Sequence, residues 1–217
     1  MTFKQIYEEV IWNLNKEKRG TTPTDIELIN SVKLWVNNRQ LDVCKAHNFY
    51  FMQDTNPDVF TVDGDQSYLL TDFSSNYKEI VSLVLIDGTT KTRLIKWGEG
   101  EVDSKYSKTD TKGKPTHYWT WENEVWLYPI PDAVYTLQMK SYNLLSDLSA
   151  DTDTNEITKR FPDVLISGAC AEGAHWLQED ISEWKQKFQD GLVDMVRKNN
   201  KRANQDRGAI RIRARIK

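Results

Sequence analysis

The chain has 217 residues, two cysteines, 28% charged residues and a net charge of −3. A chain of this length buries on the order of 70% of its unfolded surface, so its core needs no disulfide or metal staple. With no C-x-x-C pair, Cys44 and Cys170 suit a reducing compartment. Lys4, Glu8 and Glu9 make the first ten residues unlike a secretory leader. No apolar run approaches the ~20 residues that cross a bilayer, so no membrane partner is expected.

The charge is unevenly placed. From Arg197 to Lys217 nine Lys/Arg stand against one acid, Asp206, and the rest of the chain carries −11. A basic end on an acidic body suggests a segment that reaches for a partner. Eight tryptophans and nine tyrosines supply large contacts for cores and interfaces alike.

In chain order, Phe3, Ile6, Tyr7, Val10, Ile11 and Leu14 form one helical stripe, with Thr2 placed to cap it. Gly20 punctuates the break from Lys16 to Thr22. Thr22 and Pro23 read as N-cap and first residue of a second helix running to about His47. Ile26, Ile29, Val32, Val36 and Val43 lie on one side of it, and Leu28, Leu34 and Trp35 widen the apolar surface.

From Phe49 the period changes to that of strands. Short runs appear at Val59–Val62, Tyr68–Leu70, Ile80–Ile86, Thr92–Trp97, His117–Trp121, Glu124–Tyr128 and Val134–Tyr142. Asp63-Gly64, Asp87-Gly88 and Glu122-Asn123 stand where reversals are needed, the second as a strong hairpin signal. A short helix over Gly98–Lys108 and a loop over Ser107–Lys114 are expected between them. This spacing predicts a small antiparallel sandwich or barrel.

Helical periodicity returns after the polar stretch Ser146–Glu156. Phe161, Val164, Leu165, Gly168, Ala169 and Trp176 form one helix, rich in small residues from Ser167 to Ala174. Ile181, Trp184, Phe188, Leu192 and Met195 form another. The expected fold is α+β. Residues 1–48 and 157–203 make a four-helix core, 49–156 an inserted antiparallel β domain, and 204–217 an extended basic tail.

Little here points to chemistry. His47, His117 and His175 lack metal-ligand spacing, and no phosphate loop, dinucleotide fingerprint or nucleophile elbow occurs. Asp147, Asp151 and Asp153 alternate as in a calcium loop, but the bend glycine and bidentate glutamate are missing, so a capping loop is expected. The acidic pairs Asp63/Asp65 and Glu99/Glu101 read as solvated loops. Trp119, Trp121 and Trp126 could stack sugars, or pair across a hairpin as core and surface. No catalytic residue, cofactor or metal is assigned.

The most distinctive segment is Arg207 to Lys217. Ile210, Ile212, Ala214 and Ile216 alternate with Arg211, Arg213, Arg215 and Lys217. An extended strand would place the apolar row on one face and the cations on the other. Disorder alone would not require this alternation, whereas completing a partner's sheet would. Arg207, Ile210, Arg211, Ile212, Arg213, Arg215, Ile216 and Lys217 are therefore the candidate partner-binding residues. Their cationic face would meet acidic protein surface or DNA phosphates.

Several stretches resemble the adaptor proteins of tailed phages, the group that includes tail tubular protein A and the head-completion proteins of short-tailed phages. They are Tyr68-Leu69-Leu70-Thr71-Asp72-Phe73, Gly113-Lys114-Pro115-Thr116-His117-Tyr118-Trp119 and Leu127-Tyr128-Pro129-Ile130-Pro131-Asp132. Tyr135, Leu137, Tyr142, Leu148, Asp151 and Asp153 follow, and Phe161-Pro162-Asp163 opens a small-residue helix. These are turn and packing positions, and Pro129 and Pro131 suit a strand end. The resemblance implies a structural virion protein at the head-to-tail junction. It also implies a dodecameric ring on the portal protein, whose subunits the C-terminal segment would grip, with a tail or nozzle protein on the other side; the cationic face of the tail adds channel DNA as a further contact. The alternatives are a nucleic-acid-binding module using the tail and a carbohydrate-binding module using the Trp-rich sheet.

Overall fold

The computed structural model describes residues 1–98, 101–102, 104 and 110–206. In chain order its elements are α1 (Phe3–Asn13), α2 (Ile26–Ala46), β1 (Gln53–Thr55), β2 (Val59–Phe60), β3 (Ser67–Leu69) and the single turn α3 (Leu70–Phe73). Then come β4 (Tyr77–Asp87), β5 (Thr90–Arg93), β6 (Ile95–Lys96), β7 (His117–Trp121), β8 (Glu124–Tyr128) and β9 (Thr136–Asn143). The chain closes with α4 (Glu156–Arg160), α5 (Pro162–Trp176) and α6 (Ser182–Asp206). It divides into two compact units, Met1–Phe51 with the segment from Leu145 onward, and Met52–Leu144. Most of the helix expected over 98–108 lies outside the described residues.

In the helical unit, α1 starts with a full capping box. The Thr2 hydroxyl accepts the Gln5 N–H at 3.3 Å, and the Gln5 side chain accepts the Thr2 N–H at 3.0 Å. Phe3, Ile6, Tyr7, Val10 and Ile11 are buried, as their spacing requires. The start expected for α2 at Thr22-Pro23 is wrong by three residues: Asp25 is the N-cap, its carboxylate accepting the Leu28 N–H at 3.1 Å. The physical reason is competition. Glu17 takes the Thr24 N–H at 2.9 Å and holds that segment outside the helix, while the Asp25 charge complements the helix dipole.

Small residues on α5 make it the surface that α1, α2 and α6 all pack against. A Cβ on Gly173 would lie 2.9 Å from the Trp35 ring and closer still to Leu14, and one on Gly168 would meet Arg39 at 2.7 Å. Gly191 of α6 likewise has room for no Cβ, since Val164 would stand 2.7 Å away. Fully buried side chains such as Ile6, Ile11, Val36 and Leu165 each contribute on the order of 1.5–3 kcal/mol. Gln40 is buried among them with both ends of its amide bonded. Its amide donates to the Ser146 carbonyl at 2.9 Å, and its carbonyl accepts from Asn155. Asn37 exchanges two bonds with the Leu148 backbone, at 3.0 and 2.9 Å. These side chains tie the polar stretch 145–155 to α2.

In the β unit, one sheet has the order β1-β9-β4-β5, with β2 also on β9, and the other the order β3-β8-β7-β6. Leu83 and Leu85 of β4, Leu137 and Met139 of β9, and Tyr68, Tyr118, Val125 and Leu127 of the second sheet share one buried cluster. Two expected reversals are hairpin turns: Gly88, with φ +58°, joins β4 to β5, and Glu122, with φ +52°, joins β7 to β8.

Asp63-Gly64 is a turn as expected, with Gly64 at φ +89°, and it joins strands of different sheets, because β2 pairs with β9 and β3 with β8. Two expectations are corrected. The run Thr92–Trp97 breaks at Leu94, which is buried and donates to the Leu83 carbonyl at 2.9 Å, so β5 and β6 enter different sheets. The unit is also not wholly antiparallel, since β6 pairs parallel to β7. Two short elements, β1 and α3, carried no periodic signal because they are only three and four residues long.

Candidate interaction surface

The basic end of the chain leaves from α6. The stripe Ile181, Trp184, Phe188, Leu192 and Met195 is half-buried or buried, as its three- and four-residue steps predict. One turn further, Asn199 accepts the Tyr50 N–H at 2.9 Å and lies 3.0 Å from His47 Nε2. The Arg202 guanidinium sits 3.9 Å from the centre of the Tyr50 ring. The Tyr50 hydroxyl in turn donates to Glu156 at 2.6 Å, and Glu156 pairs with Arg160. Burial first, and the bond to Glu156 second, push the Tyr50 hydroxyl pKa up. Lys198 lies 5.1 Å from the Phe161 ring and pairs with Asp194 at 2.7 Å.

These contacts anchor α6 between Asn199 and Arg202, just before the alternating segment. Sequence reading missed this anchor, because Tyr50, Asn199 and Arg202 are far apart in the chain and form no motif. The tail residues themselves, Arg207, Ile210, Arg211, Ile212, Arg213, Arg215, Ile216 and Lys217, lie outside the described residues.

Other candidate positions have structural employment. Asp153 accepts the Ser149 and Ala150 N–H groups, both at 2.8 Å, which holds its carboxyl below the usual range. Asp151 accepts from Lys33 at 3.0 Å and from the Tyr7 hydroxyl at 3.1 Å, and its carboxyl is lowered too, the lysine first. The loop therefore caps and braces the start of α1, whose Phe3 and Lys4 N–H groups donate to the carbonyls of Asp153 and Asp151. Asp63 pairs with Lys112 at 2.9 Å, and Glu101 accepts the Gly98 N–H at 3.2 Å; Glu99 lies outside the described residues. His117 stacks on Trp97 at 4.5 Å, and His175 is exposed at the end of α5. Among the described residues no group of three or more His, Cys, Asp or Glu could hold a metal ion.

The tryptophans divide by exposure. Trp119 and Trp126 are direct cross-strand partners with rings 6.0 Å apart, and Trp97 lies 6.2 Å from Trp119. Trp121 is 58% exposed at the end of the same row. This is packing with one exposed member. The stretches quoted for the family resemblance also meet: Gly113 donates to the Ile130 carbonyl at 2.8 Å and packs on Pro129, which follows a cis peptide. Tyr135 donates to Asp132 at 2.7 Å, a bond that pushes its hydroxyl pKa up to about 12.

The described residues thus define a structural α+β protein, with side chains committed to bracing, capping and packing and a last helix with a basic run near its end. A family model, SU10 adaptor protein, matches residues 1–213, and the chain belongs to that family of head-to-tail adaptors, or connectors, of tailed phages. It is a structural, non-enzymatic component of the virion at the head-to-tail junction, a place that implies contact with portal or tail components. The match takes in the N-terminal helices as well as the β unit and most of the basic tail. No curated protein matches the chain.

Proposed function

We propose that the chain forms a ring, a dodecamer, on the portal protein, and that residues 207–217 are its anchor. In this reading the helical core of 1–48 with 157–203 builds the ring, the β insertion of 49–156 faces a tail or nozzle protein, and the two sheets act as a small sandwich. The observation that carries it is the anchored end of α6. Asn199 and Arg202 hold the helix against Tyr50, a few residues before the Ile/Arg alternation begins in the sequence. In an extended tail, Ile210, Ile212 and Ile216 would enter a partner's groove or sheet edge, and Arg211, Arg213 and Arg215 would meet acidic surface.

The acidic body makes copies repel one another, so the isolated protein is monomeric or weakly associated and gathers on the portal. The test is portal binding by the full chain, by a truncation after Asp206 and by Ile212→Pro, with the portal encoded in the same genome. Truncation should abolish docking, and the proline should harm it more than a single Arg→Ala change because it removes a ladder donor. Full-affinity docking of the truncated chain would move the anchor elsewhere and leave the basic run to channel DNA, whose contact a steep salt dependence would reveal.

A further inference from the structure

Two surfaces of the helical unit are exposed, opposite in charge and unmatched among the described residues. The first surrounds Trp176 at the end of α5. Its ring lies 6.1 Å from Trp35, yet the residue is 64% exposed, and Leu34, one turn along α2 from Ser31 at the same surface, is 59% exposed. A surface cavity of about 410 Å³ is floored there by Leu28 and Trp176 and rimmed by Glu17, Asp25 and Glu27 against the single base Lys16. Glu179 and Asp180 follow two and three residues after Leu177, which also lines the cavity, and both are exposed.

The second surface is the outward row of α6. Val193, Arg197 and Lys201 are spaced at i, i+4 and i+8 and so share a face, opposite the stripe that packs on α5. Val193 is 52% exposed. Among the described residues neither Arg197 nor Lys201 has an acidic partner, whereas their neighbours Lys187 and Lys198 are paired to Glu183 and Asp194.

We propose that the Val193–Arg197–Lys201 row of one copy docks on the acid-rimmed Trp176 surface of the next, and that this is the contact through which the ring grows. This rests on the ring reading above and names its interface. Because the two surfaces differ, the contact is head-to-tail, and a head-to-tail contact closes into a ring when its rotation does. A partner of the same chain accounts for both surfaces at once: valine meets the apolar floor, and two unpaired cations meet a rim with a three-to-one excess of acid. Ion pairs at such a rim are screened by salt, which fits assembly only where a portal gathers the copies.

The test places Val193→Cys and Leu34→Cys in the full-length chain, bound to the portal encoded in the same genome and treated with a short bismaleimide cross-linker. The native Cys44 and Cys170 are buried and give no background. The double variant should yield a ladder of cross-linked copies. Either single variant alone should yield none, and a mixture of the two should yield dimers only. A portal-bound double variant that stays monomeric, or a single variant that dimerises with itself, overturns the interface while leaving the adaptor reading intact. Failure of every variant and of the unmodified chain to bind the portal overturns both.

A second measurement reverses charge. Glu27→Lys with Glu179→Lys should weaken assembly on the portal roughly tenfold or more at low salt, as should Arg197→Glu with Lys201→Glu. The chain carrying all four changes should recover most of the loss. A fourfold variant no better than either double variant overturns the pairing.

Discussion

The Arg202 guanidinium lies over the ring of Tyr50, 152 positions earlier in the chain, at 3.9 Å from its centre. A cation over an aromatic face near the surface contributes about 0.5–1 kcal/mol. That is too little to decide global stability but enough to decide whether the last described turns of α6 fray. Arg202→Ala should leave the melting temperature within a few degrees of the parent. It should lower hydrogen-exchange protection of the amides around residues 197–202 severalfold, and unchanged protection there would refute the anchor.

Gly173 is the tightest point of the helical unit, with Leu14 and Trp35 both inside the volume a methyl group would need. Gly173→Ala gains helix propensity of about 1 kcal/mol but forces α1 or α2 outward. The packing cost should win, with a net loss of roughly 1–3 kcal/mol in denaturant unfolding. An increase in stability would show that α5 has slack the structure does not contain.

Gln40 bridges Ser146 and Asn155 from a buried position. Gln40→Ala removes both bonds and leaves the Ser146 carbonyl and the Asn155 amide with one partner fewer. A total cost of about 1–3 kcal/mol is expected for losing the two bonds at this buried position. Gln40→Glu should be at least as damaging near neutral pH, because its carboxylate would have to be buried without a cation. Urea midpoints of the two variants measure both effects.

Stability should respond to pH at both ends of the scale. Asp153 has its carboxyl lowered by the Ser149 and Ala150 N–H groups, so its contribution is complete above the ordinary aspartate value of about 3.9 and is lost as pH falls through the lower folded value. Asp153→Asn should therefore destabilise the protein at pH 6 by more than at pH 2. Tyr7 moves the other way: burial, then its bond to Asp151, pushes its hydroxyl up to about 12. Its contribution is complete below pH 10 and is lost as pH rises from there through about 12. Tyr7→Phe should erase that part of the alkaline loss, measured by circular dichroism.

Trp119 and Trp121 are neighbours on one face of β7, but only Trp119 is enclosed, stacked between Trp97 and Trp126. Trp119→Ala should cost about 3–5 kcal/mol and broaden the near-ultraviolet signal of the β unit. Trp121→Ala should cost under 1 kcal/mol. A glycan-array signal lost on Trp121→Ala without loss of stability would point instead to a sugar-binding role for that exposed ring.

Much of this protein was legible in one dimension because local periodicity reports which face of an element will be buried. Phe3 to Leu14, the hairpin His117–Tyr128 and the α6 stripe Ile181–Met195 each obey one repeat over enough residues to leave no rival reading. The charge split was equally local, since nine cations near one end need only counting. Helix ends were less legible: Thr22-Pro23 is a sound start signal, and it lost to Asp25 because Glu17, seven residues back from Thr24, captured that residue's N–H. Strand partners were legible only where a turn signal joined neighbours, at Asp87-Gly88 and Glu122-Asn123, and the sheet each strand enters was not. β5 and β6 follow each other directly yet enter different sheets, a choice made by the burial of Leu94 and its bond to Leu83. What brings Tyr50 to Asn199 and Arg202, or Gln40 to Asn155, is close packing around α5. The energy of such contacts depends on distances that close only when the whole unit folds, so only the tertiary structure could decide them.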